Sequence, residues 1–159
     1  MNTMRDKTER SIAPAADAAD AFSGLFGESG IGERLRAVGI PLTLQRLAIA
    51  QAMLAAPVHL TAEEVLARVR GLMPEVSRAT VYNTLKLFKE KGLVRDIVVP
   101  DHVVFDSTTV PHHHFYDVDT GEVTDVPDGA LEVTGTARLP PDFEVADIDV
   151  VVRVRRKRP

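Results

Sequence analysis

Cysteine is absent from the chain. Its absence removes disulfides, thiolate nucleophiles and Cys-bound structural zinc, so any metal must be held by His, Asp and Glu. Long apolar runs are missing as well: none approaches the ~20 residues of a membrane span, and no membrane partner is expected. The opening "MNTMRDKTERSIAPAADAADAF" carries acids early and lacks the continuous apolar core of a secretory leader, which points to the cytoplasm. Bases are scarce in one half only. From Asp96 to Val152 thirteen acids accompany a single base, Arg138, whereas Ile31 to Arg95 holds ten Lys/Arg against five acids. A basic half joined to an acidic half fits a nucleic-acid binder carrying a cation sensor.

The 159 residues, 45% of them hydrophobic, suffice for one compact domain or two small ones. Residues 1–28, rich in Ala, Asp, Ser and Gly, read as a flexible arm with a short helical stretch near Ala15 to Phe26. Punctuated helical segments follow. In "IGERLRAVGI" Ile31, Leu35 and Val38 recur at helical spacing before Gly39 and Pro41. Thr43 caps a helix with an inner stripe of Leu44, Leu47, Ile49 and Leu54. Thr61 and Glu64 form a capping box ahead of a stripe at Val65, Leu66, Val69 and Leu72, with Pro74 as the stop. Ser77 caps the next helix, whose Val81, Leu85 and Phe88 point inward until Gly92. Only "MPEV" separates these last two, the length of a helix-turn-helix connection.

After Gly92 the period changes from 3.6 to 2. "LVRDIVV" and "HVVFDS" have the look of a wing hairpin; "HHFYDV", "GEVTDV" and "EVADIDVVVRVRRK" form further strands. In the last, Ile148, Val150, Val152 and Val154 face one way, and Asp149, Arg153 and Arg155 the other. The predicted fold class is α+β: a winged helix-turn-helix DNA-binding domain over 29–107, then a small α/β dimerisation and signal-sensing domain over 108–159. The latter is too short to bury much surface alone, and a second copy covering its edge strand predicts a homodimer.

Two constellations carry chemistry. On the helix after Ser77, Arg78, Thr80, Tyr82, Asn83, Lys86 and Lys89 fall on the exposed side; such residues neutralise phosphates or reach base edges in the major groove. Arg46 and the Arg34/Arg36 pair can touch the backbone of duplex DNA from earlier helices. The second is "PHHHFYDVDTGEV". A strand puts His112 and His114 on one face and His113 on the other, so His112 and His114 can share a metal with Asp106, Asp125 and His59, which would tie the two halves together. Neutral imidazole ligates haem iron and free divalent ions alike, and composition does not choose between them.

"IPLTLQRLAIAQAML", "HLTAEEVLARV", "SRATVYNTLKLFKEKGLV" and "HHHFYDVDTGEV", in this order, resemble the ferric uptake regulator family of bacterial repressors over roughly residues 31–155. The resemblance makes Tyr82 the base-contacting tyrosine of the recognition helix. It also places His59, Asp106, His112, His114 and Asp125 at the regulatory metal site. Where the family commonly has a cysteine pair this chain has Asp117 and Thr120, so the structural zinc is expected to be missing. The three histidines before "FYDVDTGEV" resemble the haem-responsive iron response regulator branch. That likeness implies an operator-binding regulator active when iron is scarce and released by haem at His112, His113 and His114, with a haem-delivering enzyme as a further partner. The alternative within the family is a regulator activated by Fe(II) or Mn(II), or one sensing peroxide; Zn(II) suits the same ligands. A small His/carboxylate metalloenzyme is the remote alternative. No further nucleophile or acid–base group clusters by motif, so an enzyme is not expected.

Overall fold

The computed structural model describes residues 30–135 and 137–157; the helical stretch expected near Ala15 to Phe26 lies outside them. The described residues begin with two helices, α1 (Ile31–Ala37) and α2 (Leu44–Leu54), followed by a short strand β1 (His59–Thr61). Helices α3 (Ala62–Arg70) and α4 (Arg78–Glu90) complete the helical part. The caps form where the sequence places them. Thr43 Oγ1 accepts the Arg46 amide at 3.2 Å, Ser77 Oγ accepts the Thr80 amide at 3.1 Å, and the Thr61–Glu64 box closes in both directions. Helix α4 stops at Gly92, whose φ of 69° lets Leu93 N–H return to the Phe88 carbonyl.

Two stripe positions depart from expectation. Leu44 is 41% exposed and Leu72 is 64% exposed. Leu44 is the first helical residue of α2, and the interior is filled instead by Leu47, Ala48, Ile49, Ala50, Met53 and Leu54. Helix α3 ends at Arg70 with Gly71 as its C-cap, so Leu72 has left the helical period before Pro74 is reached.

Strands β2 (Arg95–Val98) and β3 (Val103–Asp106) form the wing, and β1 joins them in an antiparallel sheet of order β1-β3-β2. Strand β1 has no counterpart in the sequence pattern. Three residues are too few for alternation to show, and pairing with β3 makes them a strand. The second sheet, of order β5-β4-β6, contains β4 (His114–Asp117), β5 (Val123–Asp125) and β6 (Val151–Val154). Strands β4 and β5 are antiparallel across a turn held by Asp117 Oδ1, which accepts the Asp119 and Thr120 amides; β6 runs parallel to β4. The chain is α+β, as expected, and the described residues after 107 contribute its second sheet. Strand β6 is shorter than expected. Val151 packs inward, while Val150, Val152 and Val154 lie half-buried on the opposite face.

Twenty buried residues from α1 to Val94 form one apolar core, with Leu35, Ile49, Val65, Val81, Leu85 and Phe88 at its centre. A smaller core joins Ile97, Val99 and Val104 of the wing region to Tyr116 and Val123 of the second sheet. This shared core seats the second sheet on the wing and brings the ends of β1, β3, β4 and β5 together.

Candidate metal centre and nucleic-acid interface

Strand register builds the metal centre. His59 is the direct cross-strand partner of Asp106, and His114 that of Asp125, so each sheet supplies one His–Asp pair. His112, two residues before His114, adds a third ring. All three Nε2 atoms converge on the carboxylates. Asp125 Oδ1 lies 3.0 Å from His59 Nε2, 2.9 Å from His112 Nε2 and 3.8 Å from His114 Nε2. Asp106 oxygens lie 3.7, 3.3 and 3.6 Å from the same three nitrogens. All five residues predicted for a metal are therefore neighbours.

The donor set fits a divalent cation. One ligand atom from each of His59, His112, His114 and Asp125 lies within 4.8 Å of all the others. Four donors held tetrahedrally at about 2.0–2.1 Å from an ion lie about 3.4 Å from one another, within the span from 2.9 Å to 4.8 Å that these atoms already cover. His59 Nε2, Asp106 Oδ2 and His114 Nε2 are buried without a hydrogen-bond partner among the described residues. Each such orphan costs about 1–3 kcal/mol, which a shared cation offsets. Imidazole nitrogen with carboxylate oxygen suits Fe(II), Mn(II) or Zn(II).

One ring of the cluster favours carrying a proton where the two carboxylates face it. His112 Nδ1 faces the Val110 carbonyl at 2.7 Å and its Nε2 faces Asp125, two acceptors that favour a doubly protonated ring. Burial lowers the His112 pKa, but the Val110 carbonyl and the charges of Asp106 and Asp125 outweigh it and hold the ring above its usual 6.5. Asp106 is fully buried, which works against ionisation. Its contacts with His114 and the Thr108 amide, and the charges of His59 and His112, nonetheless keep it below 3.8.

His113 points away, as the pleat requires, and its Nδ1 accepts the Val150 amide at 3.3 Å. His114 is wholly buried with Nε2 turned to the carboxylates. The triple histidine therefore does not present three free faces.

On α4, Arg78, Tyr82, Asn83 and Lys86 are exposed. Thr80 is half-buried, with its hydroxyl 2.9 Å from Ser77 Oγ, so it belongs to the cap more than to the exposed set expected for it. Arg46 donates to the Pro41 carbonyl at 2.8 Å, Arg34 to that of Leu54 at 3.2 Å, and Lys89 pairs with Asp96. Sequence reasoning missed Glu63 on α3, which accepts from both Arg78 and the Tyr82 hydroxyl. No local signal marks it; only the packing of α3 on α4 does. The same contact holds the Tyr82 pKa above 10.0.

The ferric uptake regulator family model matches residues 37–153, well over half of the chain. The chain belongs to the ferric uptake regulator family. Relatives include the peroxide operon regulator of Bacillus subtilis (strain 168), 35% identical over 94 residues, or 58% of this chain and 65% of that protein. The chain thus spans just under two thirds of that relative. The peroxide-responsive repressor PerR of Staphylococcus aureus (strain Mu50) is 34% identical over 113 residues, 70% of this chain and 76% of the repressor. Among solved structures, the ferric uptake regulator of Pseudomonas aeruginosa with manganese is 29% identical, with a TM-score of 0.59 over 80% of this chain and 98% of that one. Members of the ferric uptake regulator family are metal-binding, dimeric DNA-binding regulators of transcription, not enzymes. Among the described residues no helix is long and apolar enough to cross a membrane.

Proposed function

We propose that this protein is a metal-activated, DNA-binding transcriptional repressor, with Fe(II) or Mn(II) as the activating ion. The convergence of His59, Asp106, His112, His114 and Asp125 from two different sheets carries the reading. Two of these residues belong to the wing sheet and three to the C-terminal part, which supports reading 29–107 as a DNA-binding domain and 108–159 as a sensing and dimerisation domain. Drawing the ligands together fixes the wing sheet, and α4 beside it, against the second sheet. The half-buried valine face of β6 suits a second copy of the chain, and a two-fold dimer presents two α4 helices about 34–36 Å apart along duplex DNA. Without metal, binding weakens by the fraction of molecules that happen to hold the competent arrangement.

On α4, Tyr82 and Asn83 read base edges while Arg78, Lys86 and Arg46 contact phosphates; Thr80 supports the helix N-terminus. A DNA target places the protein in the cytoplasm. The relatives named for peroxide response support a peroxide-sensing version of this reading, in which Fe(II) held by the same His and Asp residues would supply a peroxide-reactive centre. Release by haem, and with it a haem-delivering partner, has less support: His114 is buried within the carboxylate cluster and His113 is engaged by Val150.

Operator binding by metal-free protein, titrated in parallel with Mn(II), haem and buffer, tests the reading. Mn(II) should tighten binding at least tenfold. Indifference to Mn(II), with release by haem alone, would reverse it.

A further inference from the structure

The outer nitrogens of two candidate ligand histidines face acceptors: that of His112 is hydrogen-bonded, while that of His114 is buried without a hydrogen-bond partner among the described residues and has a carboxylate at ion-pair distance. His112 Nδ1 faces the Val110 carbonyl at 2.7 Å, and His114 Nδ1 faces Asp149 Oδ1 at 3.4 Å. Both acceptors meet one guanidinium. Arg95 Nη1 donates to the Val110 carbonyl at 3.2 Å; its Nη2 donates to Asp147 at 3.2 Å and lies 3.6 Å from Asp149 Oδ2. Arg95 is the first residue of β2, a short step beyond α4, and is the cross-strand partner of Asp106.

Resting on the metal site proposed above, we infer that Asp149 and Arg95 are positioning residues of its outer sphere. The Val110 carbonyl holds His112 with Nδ1–H outward, and Asp149 is the carboxylate at ion-pair distance from the otherwise unpartnered His114 Nδ1, placed to orient that ring in the same sense and leave both Nε2 lone pairs for the ion. Arg95 ties the two acceptors together and anchors them to the strand that follows the recognition helix. The planar guanidinium, with five donors, can span two separated acceptors, which a lysine ammonium does not reproduce. Outer partners of this kind set ring orientation and ligand basicity. Asp147 supplies an internal control, since it binds the same arginine but lies outside ion-pair distance of His114 among the described residues.

The test is Co(II) binding to the purified full chain, followed by its visible ligand-field bands, with thermal melting of each metal-free variant alongside. Asp149→Ala and Arg95→Lys should weaken Co(II) binding about 10–100-fold and alter the bands. Asp149→Asn, which keeps an acceptor and the side-chain shape, should fall between them and the parent, and remains informative if the alanine variant does not fold. Asp147→Ala should stay near the parent. Parent-like affinity and bands in Asp149→Ala and Arg95→Lys would overturn the inference while leaving the metal site standing. An equal loss in Asp147→Ala would overturn it too, by reducing the effect to general charge. Failure of the parent to bind Co(II) would remove the site itself, and this inference with it.

Discussion

The helical half and the C-terminal sheet are held by different forces. Around α1 to α4 twenty buried residues close a continuous apolar core, whereas the second sheet shares only five buried residues with the wing. Next to that small core sit three imidazoles and two carboxylates, several with unpartnered atoms. Apolar burial works at any metal concentration; the polar cluster is incomplete until a cation arrives. The helical half is therefore the constant part, and the setting of the second sheet is the variable one.

Phe88→Ala should give the largest effect, about 3–5 kcal/mol of unfolding free energy for a fully buried aromatic. Chemical denaturation should show the same loss with and without Mn(II). A loss confined to the metal-free protein would place Phe88 in the variable half. Next, Mn(II) at a hundred times its dissociation constant should stabilise the parent by about 2.7 kcal/mol. Asp106→Asn should remove most of that gain. Hydrogen exchange should slow more in β4 and β5 than in α3 and α4, and uniform slowing would break the contrast.

Function of the constant half is sharpened at α4. Tyr82→Ala should weaken specific DNA binding by about 1–3 kcal/mol. Lys86→Ala should weaken binding to every sequence and lower the salt slope by about one. A Tyr82→Ala variant with parental operator affinity would show that another element reads the bases.

A smaller effect is proton linkage. The His112 pKa lies above 6.5, so its contribution to metal-free stability is complete below that value and is lost as pH rises through the folded value. The Asp106 pKa lies below 3.8, so its contribution holds above 3.8 and is lost as pH falls through its folded value. Metal has to displace the His112 proton, so its affinity should fall as the solution is acidified. Calorimetry of Mn(II) uptake in buffers of different ionisation enthalpy should show proton release near pH 6.5, and identical heats would contradict it. Smallest of all, Leu72→Ser should stay within about 0.5 kcal/mol of the parent, because the side chain is 64% exposed.

Features decided within four residues were legible from sequence: the caps at Thr43, Thr61 and Ser77, and the inward Val81, Leu85 and Phe88. Alternation located β2 through β6, and family resemblance named the five candidate ligands that strand register then brought together. What escaped was non-local or interrupted. Strand β1 exists because β3 is beside it; Leu72 falls outside because Gly71 ended its helix; Glu63, Arg95 and Asp149 gain partners 15 to 54 residues away. Segment 126–150, with its prolines and acids, forms no helix among the described residues.

The order of the ligands along the chain has a consequence for the protein as it is made. His59 and Asp106 precede His112, His114 and Asp125, while every member of the large apolar core precedes Arg95. At synthesis rates of about 5–20 residues per second, the stretch from Asp106 to Asp125 takes about 1–4 s. The helical core is thus complete before the ligand set has left the ribosome. A nascent chain would emerge with α4, the proposed DNA-reading helix, already supported, and would complete its candidate metal ligands last.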